Sequence, residues 1–241
     1  MSTDTHNEKS WIDPSILCRM NNDLIAWVTN PGEQGKVILI ACLYILICTA
    51  LYGFTFGIWR SLEQAIYSSV KMPILFFATL MAGAMICTML AQVLGTGLSF
   101  KTVCMTVLLG MAVTSVMLAS LVPVMLFIVL QMPLANDPVS VVSMHAYRIL
   151  LILNVLMIGF CGVVGNCRLY RLLKTLTAST SMALRLNLIW ILILGFAGCE
   201  LSWLVSPFLA RPDIPVPFFN PNAFSGNFFE YLWQAVSELV R

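Results

Sequence analysis

Charge is the scarcest feature of this sequence: only 10% of its 241 residues are Asp, Glu, Lys or Arg, against about 25% in ordinary soluble domains. The few charges leave long gaps. None occurs between Lys36 and Arg60, between Lys71 and Lys101, between Lys101 and Asp137, or between Arg148 and Arg168. Glu200 alone interrupts the stretch from Arg185 to Arg211. With 59% of residues hydrophobic, a water-soluble fold would have too little polar surface to cover its core, so that class is excluded. A net charge of +2 is too small to suggest a nucleic-acid partner.

Other absences narrow the chemistry. No Cys-x-x-Cys pair occurs, and most of the eight cysteines fall inside apolar runs. They read as small apolar side chains in reduced form, not as a disulfide frame or a metal site. The two histidines, His6 and His145, are too few for a metal site of three or four converging ligands, so no metal or cofactor is expected. GxSxG, HExxH, GxxxxGK(S/T) and GxGxxG are all missing, and no histidine is placed to act as base to a serine. No catalytic residue is nominated, and the chain reads as a non-enzyme. The first ten residues are polar and mixed in charge, unlike the basic start and short apolar run of a cleavable signal peptide.

What is present is a series of long apolar runs. A helix crossing hydrocarbon needs roughly 20 mainly apolar residues, and the charge-free gaps hold five of them, at about 37–59, 72–94, 102–130, 147–167 and 186–209. The third reads as one tilted helix kinked at Pro123, because two spans plus a turn need on the order of 40 residues or more. Gly53-x-x-x-Gly57 in the first run and Ala78, Ala82 and Gly83 in the second are small enough to admit a neighbouring helix. Gly159, Gly162 and Gly165 cluster in the fourth. The expected fold is therefore all-α: a polytopic membrane bundle of about five transmembrane helices.

Both ends carry amphipathic segments. Asp13-Pro14 looks like a helix cap with proline in the first turn, and Ile16, Leu17, Met20, Leu24, Trp27 and Val28 then recur at helical steps. At the other end Pro212, Pro215, Pro217 and Pro221 favour an extended course. A second amphipathic helix follows. Phe228, Phe229, Leu232, Trp233, Val236, Leu239 and Val240 lie on one face, with Glu230, Gln234, Ser237, Glu238 and Arg241 on the other. Such helices lie at the membrane interface. The expected organisation is a tail with a surface helix over 1–36, the bundle over 37–209, and a Pro-rich segment with its amphipathic helix over 210–241.

Lys and Arg favour the cytoplasmic side of a membrane. Five spans with the N-terminus inside put Lys9, Arg19, Lys36, Lys101, Arg168, Arg171, Lys174 and Arg185 there. Arg60, Lys71, Arg148, Arg211 and Arg241 then lie outside. The basic connection over 168–185 dominates this balance. It reads as an orientation signal ahead of a binding surface for anionic lipid. Trp203, Trp233, Tyr147, Phe218, Phe219, Phe228 and Phe229 fall on the outer side, as an aromatic belt would.

Few residues are candidates for function. Glu200 is the one ionisable group inside an expected span, where a carboxylate is costly and faces the bundle interior. It reads first as protonated or hydrogen-bonded helix glue, with Gln92 and Asn154 as candidate partners. A proton or substrate role and a place at the interface are the alternatives. Asn154 and Asn166 need hydrogen-bond partners if buried, and cross-helix bonding comes before substrate binding. His145, at the outer start of the fourth span, reads as an interfacial polar residue.

The stretch Glu200-Leu-Ser-Trp-Leu-Val-Ser-Pro-Phe208, with Gly226-Asn-Phe-Phe-Glu230 after it, resembles the signature of an uncharacterised family of bacterial polytopic membrane proteins. That family carries Ser-Trp-x-x-Arg-Pro-Phe and a later Gly-Asn-Phe-Tyr-Glu, and a Lys-x-Pro that opens a helix, as Lys71-Met-Pro73 does here. The resemblance singles out Ser202, Trp203, Pro207, Phe208, Gly226, Asn227 and Glu230. This chain departs from it at Ser206, where the family has arginine, and at Phe229 in place of tyrosine. The five-span, N-inside plan is also similar in layout to the Yip/Yif family of membrane-organising proteins. These resemblances imply a multi-pass protein of a bacterial cytoplasmic membrane, in contact with lipid and with other membrane proteins. The leading expectation is a non-enzymatic membrane-organising or complex-supporting component. The alternative is a small transporter, channel or permease subunit that uses Glu200.

Overall fold

The computed structural model describes residues 32, 34–133, 141–177, 179–206, 208–209, 218 and 226–240. Among them are seven helices and no strand: α1 (Gln34–Gly57), α2 (Leu62–Val93), α3 (Phe100–Ser120), α4 (Val122–Gln131), α5 (Val141–Leu176), α6 (Thr180–Val205) and α7 (Phe228–Val240). Five of these, α1, α2, α3, α5 and α6, are long and apolar enough to cross a membrane. The fold is the expected all-helical, multi-pass type. The amphipathic segment near Pro14, the Asp137-Pro138 cap and most of the Pro-rich segment lie outside the described residues.

Helix ends follow local chemistry. Ser61 starts α2: its Oγ accepts from the Gln64 N–H at 3.1 Å and its carbonyl from the Ala65 N–H at 3.0 Å, as an N-cap does. Ser99 does the same for α3 through Thr102. The turn at Gly95-Thr96-Gly97 ends α2 in a Schellman arrangement. Thr96 N–H reaches Ala91 O and Gly95 N–H reaches Gln92 O, with Gly95 at φ +67°, where a side chain would be strained.

Three expectations need correcting. The span read as 102–130 is two helices, parted at Leu121. Pro123 has no N–H to donate and its ring crowds the carbonyl four residues back, so α3 stops and α4 starts with proline in its first turn. The segment 60–71 is not a connection, since α2 begins at Leu62 and carries Pro73 in its interior. Lys71-Met-Pro73 therefore stands inside a helix and does not open one. The basic stretch 168–185 is not a loop either. Arg168, Arg171 and Lys174 continue α5 to Leu176, and α6 starts at Thr180 before Arg185. The charges at 60–71 and 168–185 read as breaks where helix continues, whereas the proline read as a kink ends one helix and starts the next.

The first turns of α2 show which solvent the chain is built for. Gln64, Ser68 and Lys71 are fully buried, while Leu62, Ile66, Val70 and Ile74 are exposed. This is the reverse of a soluble amphipathic helix, and it suits an element whose surroundings are lipid and whose polar groups must be satisfied inside the protein. Exposed Leu39 and Ile47 on α1, Leu156 and Phe160 on α5 and Leu192 on α6 likewise turn apolar side chains outward.

Contacts divide the chain into two compact units. One holds Met1–Leu46, Leu80–Met117 and Cys161–Leu194; the other holds Ile47–Thr79, Leu118–Phe160 and Gly195–Arg241. In the first unit α3 meets α5 through glycines. A Cβ on Gly165 would run into the Thr114 hydroxyl and lie 3.1 Å from the Gly110 carbonyl. In the second, α1 lies against α2 at Gly53 and Gly57. Cβ atoms there would strike the α2 backbone at Ser68, Gln64 and Ala65, which is the close approach small residues permit. Gly159 and Gly162 face open space, so only Gly165 of that cluster mediates packing.

Candidate functional site

The second unit encloses a row of polar side chains on α2. Gln64, Ser68 and Lys71 fall three and four residues apart, on one face of α2, and that face is closed off from the surroundings. Gln64 Nε2 donates to Ser68 Oγ at 3.1 Å and to the Phe208 carbonyl at 2.6 Å. Ser68 Oγ donates to the same carbonyl. Lys71 Nζ sits 4.9 Å from the centre of the Phe218 ring, and Tyr67 meets that ring edge-on at 5.1 Å. A cation over an aromatic face is worth up to about 2 kcal/mol when water is excluded. These side chains therefore tie the residues that follow α6 down onto α2.

By sequence Glu200 is the one ionisable group within an expected span, and Lys71 escapes notice because it falls in the charged stretch 60–71 that reads as a connection. The available signal was the spacing of Gln64, Ser68 and Lys71 on one helical face. It becomes legible only once the face between them, Leu62, Ile66 and Val70, is recognised as the lipid side.

The nominated residues divide. Asn154, half-buried on α5, accepts from the Tyr52 hydroxyl at 2.9 Å, so it bonds across helices as expected, with α1 in place of Glu200. Gln92 is exposed near the end of α2 and belongs to the first unit. Glu200, half-buried on α6 in the second unit, has no hydrogen-bond or ion-pair partner among the described residues. Asn166 donates Nδ2 to the Gly162 carbonyl one turn back, at 2.9 Å. His145 is exposed. Among the described residues no three His, Cys, Asp or Glu side chains come together as a metal site would require.

Of the family-like residues, Trp203, Gly226, Asn227 and Glu230 meet at the start of α7, Ser202 and Phe208 bond elsewhere, and Pro207 lies outside the described residues. Asn227 is the N-cap of α7: its Oδ1 accepts from the Glu230 N–H at 2.8 Å. Glu230 stands in the first turn, where a carboxylate favours the helix dipole. Gly-Asn-Phe-Phe-Glu is thus a capping sequence with a physical reason for each polar position. Gly226 lies beside Trp203, whose ring is 3.5 Å from where a Cβ would stand. Trp203 packs on Tyr231 at 5.3 Å. Ser202 Oγ bonds back to the Cys199 carbonyl at 2.7 Å within α6. Phe208 supplies the carbonyl already described.

Three contacts hold α7, two in its first turn and one in its last. The Tyr231 and Tyr147 hydroxyls hydrogen-bond, Arg148 pairs with Glu238, and Phe229 stacks on Phe196 with ring centres 5.9 Å apart. Ala235 is buried, Phe229, Trp233 and Val236 form an exposed apolar stripe, and Glu230, Gln234, Ser237 and Glu238 form an exposed polar one. A helix with one docked, one apolar and one polar face suits the boundary between protein, lipid and water.

Two outcomes are expected here. Gln64→Leu with Ser68→Ala strips the Phe208 carbonyl of both side-chain donors, at a cost of about 1–3 kcal/mol. A thiol placed by Phe208→Cys should then react with maleimide several-fold faster, and unchanged rates would deny these bonds a holding role. Tyr231→Ala removes both the hydroxyl and the ring contact and should open the start of α7 to protease. Arg148→Ala should not, because an exposed ion pair contributes about 0.2–1 kcal/mol.

Comparison of the chain with protein-family models, with curated proteins and with solved structures finds no match.

Proposed function

We propose that this chain is a non-enzymatic, multi-pass component of a bacterial cytoplasmic membrane, with its N-terminus in the cytoplasm, that supports or organises other membrane proteins. We place it with the bacterial polytopic family that shares its Ser-Trp and Gly-Asn-Phe motifs. One observation carries this reading: the buried polar face of α2 is occupied in holding Phe208 and Phe218, and α7 turns both an apolar and a polar stripe outward. Polar groups used this way build a presented surface and leave a substrate path unlined.

The test is extraction of the full chain in native-lipid particles. A second protein should co-isolate in fixed stoichiometry and be lost when residues 226–241 are removed. A chain that runs alone, with or without those residues, would overturn the reading.

A transporter is the second reading, favoured by Glu200. Its neighbour Gly198 packs against Thr79, near the midpoint of α2, so the carboxylate is well inside the span. If vesicles containing the purified protein show solute and proton uptake no greater than empty ones, that reading goes. If they show uptake, Glu200→Gln should abolish it.

A further inference from the structure

Glu200 stands on the least enclosed span. In their most apolar stretches, 72% of α3 is buried but only 11% of α6. On α6, Phe196 and Leu204 lie one turn before and after Glu200 and are exposed, so the carboxylate belongs to an outward ridge and does not face the interior as a buried proton relay would. Two ring contacts, Phe196 with Phe229 and Trp203 with Tyr231, bracket it along the helix. These leave Glu200 half-buried beside the start of α7, with no partner among the described residues. A carboxylate at that depth in hydrocarbon is costly and calls for a cation or a donor.

We infer that Glu200 is a docking point for the transmembrane helix of another protein, one that carries a lysine or arginine at matching depth. This rests on the supporting role proposed above and names the chemistry of the partner. Charge complementarity selects the occupant. Two cations of the same unit are already taken up within this chain. Lys71 is fully enclosed, and Arg148 is engaged with Glu238. Lipid tails offer no donor, and a neutral helix leaves the carboxylate where it was. The exposed Phe196 and Leu204 would pack against the apolar flanks of a basic helix, since association in membranes depends on close packing together with polar contacts.

The probe is a synthetic polyleucine helix with one central lysine, labelled with an acceptor dye. The full chain, carrying a donor dye at exposed Cys167, is reconstituted with it in phosphatidylcholine vesicles. The lysine helix should associate about tenfold more tightly than an otherwise identical helix with leucine in that place. Glu200→Gln should remove the preference. Glu200→Lys should transfer it to a helix with a central glutamate, which guards against a variant that merely misfolds. Equal binding of the two helices, or a preference that survives Glu200→Gln, overturns the inference. Self-association of the wild type that is lost in Glu200→Gln also overturns it, by making a second copy the occupant. Loss of the lysine preference while the native assembly still co-isolates removes only the role of Glu200. A chain found alone in native-lipid particles removes the supporting role itself.

Discussion

Gly57→Ala is expected to loosen the second unit with an effect far beyond one methyl group. The added Cβ would lie 2.5 Å from Ala65 Cα, 2.7 Å from the Gln64 carbonyl oxygen and 2.8 Å from the Ala65 nitrogen. All three are backbone atoms of α2 and cannot rotate away, so the helices must move apart. Gly53→Ala meets the Ser68 backbone and Met72 Cγ at 2.7 Å, where one of the two obstacles can yield. Overpacking of this kind costs on the order of 1–3 kcal/mol. Gly57→Ala should fall at the upper end and Gly53→Ala below it. Separation of α1 from α2 would also strain the Tyr52 bond to Asn154. The measurement is thermal unfolding in detergent. Gly159→Ala and Gly162→Ala have nothing within 4 Å of the new Cβ and should match the parent or exceed it, since alanine is the better helix former. If Gly57→Ala and Gly159→Ala unfold together, the close approach of α1 to α2 is wrong.

Lys71→Glu is expected to be the most damaging single charge change. The site is fully closed to the surroundings, and the electron-rich face of Phe218 looks toward it. A carboxylate there loses its solvation and meets a repulsive ring face. An uncompensated buried charge of this sort costs about 3–5 kcal/mol. Lys71→Met keeps the stem and gives up the charge together with its desolvation, so only a loss of about 1–2 kcal/mol is expected. The order of the unfolding midpoints, parent above Met above Glu, is the checkable result. Phe218→Leu should add little in the Lys71→Met background, because the two changes remove the same contact. Full additivity would mean that the lysine is held by something other than the ring. Accelerated maleimide labelling at position 208 in Lys71→Glu would tie the damage to the residues after α6.

These two predictions mark what could and could not be read beforehand. Gly53-x-x-x-Gly57 was visible as a motif, and so was the cluster Gly159, Gly162 and Gly165. Sequence spacing alone did not say that both members of the first pair meet backbone while only Gly165 of the second does. Asn154 was recognisable as a cross-helix donor or acceptor, but its partner, Tyr52, is 102 residues away and an apolar run gives no hint of the pairing. Gly-Asn-Phe-Phe-Glu was noticed as a recurring signature. Its meaning as an N-cap with a first-turn acid follows from local rules that needed only the helix start.

The five spans, their approximate places and the amphipathic character of α7 were set by the sequence alone. The cost of leaving charge and bare backbone in hydrocarbon acts on every contiguous stretch of chain, and so it is written in the order of the residues. Which side of each helix faces lipid was decided only by tertiary packing. So were the enclosure of Lys71 under Phe218, the half-buried place of Glu200 on α6 and the break at Leu121. Where both lipid and protein interior are apolar, hydrophobicity no longer separates outside from inside, and close packing with hydrogen bonding between distant residues makes the choice.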